Sequence, residues 1–364
     1  MTTPGLQRRQ LVLGSAALAA GAVLPGCGSS PPAADASTAP LTRIAFGSCI
    51  NQALPQPIWA PILAGRPELF LFGGDNVYAS TPPFSRQRLD AAYAKLAAEP
   101  GFAQLRHTVP HLAVWDDNDY GLPDGGADFA GRLSSREAFL DFWRVPADDE
   151  RRQQQGVYLA RTYGPPGQRV QVILLDVRSH RSAWRPTDQQ GAPGKERYLP
   201  DADPTKTMLG AVQWAWLETR LRESADLRLI LSGIQVVADG HGWECWAHFP
   251  LERQRLYNLI GSTGAGGVVL LSGDRHIGAF YREMGSTGRP VSYPLTDFTA
   301  SGMTHAWQGA AEAGPNRISP LFDRVQYGTI DIDWPARSVA LALRDVQGQA
   351  RRELVIDLRS LQPA

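Results

Sequence analysis

Hydrophobic residues concentrate in six short, nearly continuous runs between Arg43 and Asp274: RIAFGSC, ELFLFGGD, HLAVWDD, QVILLDVR, RLILSGIQ and VVLLSGD. Apolar runs of this length without alternation predict strands covered on both faces. Between them, FSRQRLDAAYAKLAAE, SREAFLDFW, AVQWAWLETRLRE and LERQRLYNLIGS carry apolar residues at helical spacing. After residue 325 the pattern changes. YGTIDIDW, SVALALRDV and RRELVIDLR show the alternating faces of antiparallel strands and predict a C-terminal meander. No internal repeat is visible. The expected fold class is α/β, one sandwich containing two sheets.

The N-terminus is a different kind of sequence. Arg8 and Arg9 precede the apolar run LVLGSAALAAGAVLPG, which is short for a bilayer span and ends at Cys27. QRRQLVL resembles a twin-arginine export signal, and LPGC resembles a lipoprotein cleavage box with Cys27 as the lipidated residue. A plain secretory signal or a short anchor is the other reading. Residues 1–27 are thus expected to be an export signal that engages the twin-arginine machinery. Residues 28–41, GSSPPAADASTAPL, read as a polar tether reaching about 20 Å, too poor in apolar residues to fold. Residues 42–364 are expected to form a single domain. The expected location is the periplasm or cell envelope, with membrane contact only through the lipid.

Charge narrows the partners. Lys plus Arg and Asp plus Glu each total 36, so no global field favours nucleic acid or an anionic membrane. Of the three cysteines, only Cys49 and Cys245 fall in the domain, so at most one disulfide is available there.

Candidate chemistry lies where the apolar runs stop. Cys49, Asp75, Asp116, Asp117, Asp176 and Asp274 each follow a predicted strand, and ligands of open α/β sheets collect beyond the carboxyl ends of strands. A carboxylate costs several kcal/mol or so to desolvate unless it is paired or bound to a cation. The row Asp116, Asp117, Asn118, Asp119 at the end of HLAVW therefore asks for cations.

The ordered set GSC, GDNVY, WDDND, LDVRSHR, SGIQVVADGHGWECWAHFPLERQRL and LLSGDRH, from about Arg43 to Phe280, resembles the PhoD-like branch of the metallophosphoesterases. The resemblance implies a double-sheet α/β/β/α core and hydrolysis of phosphate monoesters or diesters by a metal-activated water. It also implies ferric iron (Fe3+) with calcium (Ca2+) nearby. Carried over, Cys49, Asp75 and Tyr78 serve the iron, Asp274 and His276 are further ligands, and Asp116 and Asp117 serve the second metal or orient its ligands. The donor chemistry agrees, since thiolate and phenolate favour trivalent iron while carboxylates and amides suit calcium. Asn76 is either a hard oxygen ligand or a turn amide. Arg178 and Arg181 offer planar forks for phosphate oxygens. Arg178 is the candidate clamp, the alternative being a salt bridge to an acid at the sheet end.

Three positions depart from the family pattern. Asn118 stands where the family has a histidine, and an amide does not usefully transfer a proton. His248, in WAHFP, stands where an asparagine is frequent, which raises the expectation that Asn118 and His248 exchange roles across one site. Pro123 replaces an asparagine before Asp124, so this loop is expected to be set differently. Cys245 is expected to be a small buried hydrophobe, and His241, Trp243 and Trp246 to shape the pocket wall. His305 and Trp307 belong to a loop that could close over the site. The alternative function is a catalytically impaired, metal-binding envelope protein with the same fold. A serine esterase is a weaker third reading, because no GxSxG elbow is present.

Overall fold

The computed structural model describes residues 1–2, 38–284, 290–312 and 314–363, and those from Thr38 onward belong to one unit. Arg8, Arg9, Cys27 and the tether up to residue 37 lie outside the described residues. Leu41, the last residue of the expected tether, is buried, and its carbonyl accepts from Trp334 Nε1 at 2.9 Å. The packed domain therefore includes Leu41 rather than starting at Thr42.

In chain order the elements begin with β1 (Arg43–Gly47), α1 (Trp59–Ala64), β2 (Leu69–Gly73), α2 (Arg86–Ala97), α3 (Pro100–Thr108), β3 (His111–Val114), α4 (Asp117–Tyr120) and α5 (Arg132–Phe142). There follow β4 (Leu159–Tyr163), β5 (Val170–Leu175), β6 (Arg185–Pro186), β7 (Tyr198–Leu199), α6 (Gly210–Leu221), β8 (Leu227–Ser232) and α7 (Pro250–Ser262). The last are β9 (Val268–Ser272), β10 (Gly278–Glu283), β11 (Leu295–Ala300), β12 (Gln326–Asp333), β13 (Ser338–Asp345) and β14 (Ala350–Asp357).

Among the described residues, two six-stranded mixed sheets form, ordered β14-β13-β12-β1-β2-β3 and β10-β11-β9-β8-β5-β4, with β6 and β7 a separate ribbon. The meander is present, and it completes the first sheet because β12 runs antiparallel beside β1. Two parallel sets result, β1-β2-β3 and β5-β8-β9-β11.

Period-two geometry explains the layers. Phe72 of β2 meets Trp59 of α1 (6.4 Å between ring centroids), Phe102 of α3 (5.8 Å) and Trp143 at the end of α5 (4.7 Å). Across the other face, Phe46 of β1 meets Phe298 of β11 at 4.8 Å, joining the sheets. Outside the second sheet, Trp214 of α6 packs edge-on to Trp246 at 6.1 Å. Truncating a ring such as Phe72, which is fully buried, to alanine costs about 3–5 kcal/mol. This helix–sheet–sheet–helix stack brings the carboxyl ends of both parallel sets to one edge.

Candidate metal centre

The two strand-end turns meet closely. A Cβ at Gly233, just after β8, would stand 2.7 Å from Asp116 Oδ1, and one at Gly273, just after β9, 2.6 Å from Ser48 Oγ. Glycine at these positions lets the sheets' carboxyl edges touch. Of the eight non-glycine residues with positive φ among those described, five lie here: Cys49, Asp75, Asp124, Asp274 and His276. Such backbone strain persists where surrounding structure over-determines it, and it clusters at functional sites.

Asp75 is the hub. Its Oδ2 is 3.8 Å from Cys49 Sγ, and His276 completes a group whose ligand atoms lie within 4.8 Å of one another. Tyr78 OH lies 2.9 Å from His276 Nε2. Asp75 also forms a second group of the same span with Asp116 and Asp117. Asp274 lines the same cavity, and its carbonyl is 3.8 Å from Cys49 Sγ. Burial comes first in pushing the Asp75 carboxyl well above its usual range, followed by the charges of Asp117, Asp116, Asp119 and Asp274. Burial raises the Cys49 thiol and the Tyr78 phenol in the same way. His276 is held down at about 3 by burial and then by His305 and Arg275.

This crowd of acids fits cations. Asn76 Oδ1 and Asp116 Oδ2 are buried without a hydrogen-bond partner, in contrast with Asn76 Nδ2, which donates to Val114 O (2.9 Å) and Asp119 Oδ2 (2.6 Å). An orphaned buried oxygen costs about 1–3 kcal/mol, and a cation beside it removes that cost. The Cys49 sulfur and His276 imidazole share Asp75 with the carboxylates of Asp116 and Asp117, so two chemically distinct donor sets have one carboxylate in common.

Three residues hold these groups. Asn118 donates from Nδ2 to Asp75 Oδ2 (3.0 Å) and to Asp117 Oδ1 (2.9 Å), and accepts from Ser80 Oγ (2.7 Å). Asp119, which the sequence placed in the acidic row without a role of its own, accepts from the backbone N–H groups of Asp75 (3.1 Å) and Asp116 (2.8 Å). The loop after Pro123 is joined to the site, because the Asp124 N–H donates to Asp117 Oδ2 at 2.8 Å, and Asp117, Asp124 and Glu244 form a third acidic group.

Several expectations need correction. Arg178 does not line the cavity as a clamp would: it is completely buried, with Nε on Asp116 Oδ1 (2.7 Å) and a bidentate pair to Glu244 (2.7 and 2.8 Å). It is the salt bridge at the sheet end, with Asp116 and Glu244 rather than Asp176. Asp176 instead caps its own loop through the N–H groups of Arg178 and Ser179. Burial would raise the Glu244 carboxyl, but Arg178 and Arg181 hold it at about 2. Arg181 is buried too, stacked on Trp184 at 4.5 Å and donating to the Asp124 carbonyl, and it does not line the cavity. His248 is not placed across the site from Asn118. It is buried against Trp184 and Tyr198, with Nε2 2.7 Å from Trp243 O, and it does not line the cavity. Cys49 and Cys245 are both free and buried.

The cavity at the strand ends, about 420 Å3, is lined by the acids and their neighbours Asp75, Asp117, Asn118, Asp124, Asp274 and His276 together with Arg197, Trp243, Glu244, Arg275 and Trp307. The arginines that line it were missed. Arg275 was legible as the residue between two proposed ligands in SGDRH, whereas Arg197 sits beside the short ribbon with no motif to mark it. A second cavity of about 410 Å3, between α1 and the β12–β13 side of the first sheet, has Asp331 as its one lining carboxylate and lies away from these strand ends.

Comparisons agree with this architecture. No curated protein sequence matches the chain. Among solved structures it is similar to PhoD, with a TM-score of 0.70 and 16% identity over 91% of this chain and 73% of that one. It is also similar to the purple acid phosphatase PPD1 of yellow lupin, Lupinus luteus (TM-score 0.57, 12% identity, 90% of this chain and 55% of that one). A third is GAP50, the anchor in the inner membrane complex of Plasmodium (0.55, 9%, 89% and 90%). At these identities the likeness establishes the shared fold. The profile of the family described as PhoD-like phosphatase matches residues 44–313, well over half of the sequence, and the chain belongs to that family.

Proposed function

We propose that the chain is an exported phosphoesterase that hydrolyses small phosphate monoesters or diesters, with Fe3+ at the Cys49, Asp75, Tyr78 and His276 side and Ca2+ at the Asp75, Asn76, Asp116 and Asp117 side. The observation that carries the reading is Asp75, common to both ligand groups, at strand ends where Asn76 Oδ1 and Asp116 Oδ2 are otherwise orphaned. Cations bound there neutralise phosphoryl oxygens and lower the pKa of the attacking water.

The chain's own residues supply the rest. Asn118 and Asp119 orient Asp75, and Arg178 fixes Asp116 from behind. Arg197 and Arg275 line the cavity and offset the negative charge of substrate and acids together. The impaired-enzyme alternative rests on Asn118, whose amide is committed to two carboxylates and supplies no proton.

Hydrolysis of p-nitrophenyl phosphate and bis(p-nitrophenyl) phosphate by the full chain, with iron and calcium and then with chelator, tests the enzyme reading. Chelator-sensitive turnover of either ester supports it. Bound metal without turnover favours the alternative. The export signal at 1–27 and the lipid at Cys27 belong to the same proposal, and Cys27→Ser is expected to release the protein from the membrane fraction.

A further inference from the structure

Part of the cavity wall is aromatic, formed by Trp243 and Trp307. Trp307 is 40% exposed, yet its position is set: its backbone N–H donates to the His276 carbonyl at 2.8 Å, and its ring meets Trp243 edge-on at 5.7 Å. Arg275, between Asp274 and His276 in sequence, places its guanidinium 5.0 Å from the Trp243 ring and 5.6 Å from Trp307. Arg197 lies 5.0 Å from the Trp243 ring. Each arginine is anchored by an acid, Arg275 on Glu312 at 2.6 Å and Arg197 on Asp124 at 2.5 Å. Trp243 is thus boxed in by two cations and an indole, while Trp307 keeps open surface on the cavity.

Neither a metal site nor a phosphate group requires such a wall. The candidate metal groups draw on Cys49, Asp75, Asp116, Asp117 and His276, and a phosphate occupies a small part of a space of about 420 Å3. An indole tied by its backbone to a ligand residue, exposed on one side and edged by an arginine, is a stacking platform for a planar group. We infer that Trp307, supported by Trp243 and Arg275, forms a subsite for a planar aromatic ring carried on the substrate's phosphate, either an aryl group or a nucleobase. The inference rests on the phosphoesterase reading for what the phosphate does, and on the wall alone for what the ring does.

The test compares Trp307→Ala and Trp307→Phe with the parent chain on phenyl phosphate, adenosine 5′-monophosphate and methyl phosphate. Comparing variants on each ester cancels differences in leaving-group reactivity. Trp307→Ala is expected to lower kcat/KM for a planar ester about 10-fold more than for methyl phosphate, the scale of one lost stacking contact, and Trp307→Phe to restore most of the difference. The ester with the larger Trp307 dependence identifies the ring. Equal losses on all three esters overturn the inference. A binding arm is independent of turnover: phenylphosphonate is expected to quench tryptophan fluorescence and bind more tightly than methylphosphonate, with the preference lost in Trp307→Ala. If no ester is hydrolysed, the phosphoesterase reading fails, and the phosphonate preference alone decides the subsite. Equal phosphonate affinities in the parent chain overturn it.

Discussion

Asn118 grips both oxygens of Asp75: its side-chain amide donates to Oδ2 and its backbone N–H to Oδ1, each at 3.0 Å. A carboxylate shared by two ligand groups is useful only if its orientation is set, and this residue sets it. Asn118→Ala is expected to weaken metal affinity about 10- to 100-fold, as loss of an outer-shell hydrogen bond commonly does. Metal titration of the chelator-stripped protein checks this. Unaltered affinity would mean that the surrounding turns alone hold Asp75.

The Arg178 pair is a stability element. Arg178→Met leaves Asp116 buried without its cation and Glu244 with only Arg181 at 3.6 Å, and breaking such a pair costs about 3–5 kcal/mol. Urea unfolding midpoints measure the loss. A substrate clamp would behave differently, raising KM with little change in midpoint.

His248 gives the opposite expectation. Since Nε2 is held by the Trp243 carbonyl and the ring packs on Trp184, His248→Ala is expected to keep kcat while lowering Tm. A collapse of kcat with Tm unchanged would return this histidine to the reaction.

Stability of the metal-free chain should fall as pH rises. Burial chiefly raises the carboxyls of Asp116, Asp119 and Asp124 to about 7. Between the ordinary carboxylate range and about 7, the folded chain therefore holds protons that the unfolded chain has released. Stability from these groups is complete at the acidic end of that window and is lost toward neutrality. Thermal melts in chelator at about pH 5 and about pH 8 are expected to show the lower Tm at the higher pH, with calcium reversing part of the loss. A Tm that rises with pH, or is indifferent to calcium, would contradict the picture.

The strands were legible because VQVILL, LRLILS and VVLLS are too apolar to lie anywhere but between two layers. By contrast, β11 was not, since LTDFTA carries the buried Asp297, whose charge is met by the N–H groups of Val236 and Val237 from a distant turn. Helix α4 is a single turn, DNDY, and has no periodicity to read. The acids of the site stood out because they end strands. Their partners did not, because sequence shows that Arg178 is near a sheet edge without showing which acid it faces. Asp116 is 62 residues away from it and Glu244 is 66 residues away. His248 misled for the same reason, a motif position without the packing that turns its ring aside.

The most direct test of the central claim, that Asp75 links two metal groups that drive ester hydrolysis, is metal content and p-nitrophenyl ester turnover measured on the same preparations of the parent chain and Asp75→Asn. The parent is expected to bind iron with a visible tyrosinate band from Tyr78 and to lose turnover on chelation, and Asp75→Asn to bind less metal and lose nearly all activity. Turnover that survives both chelation and Asp75→Asn would contradict the claim.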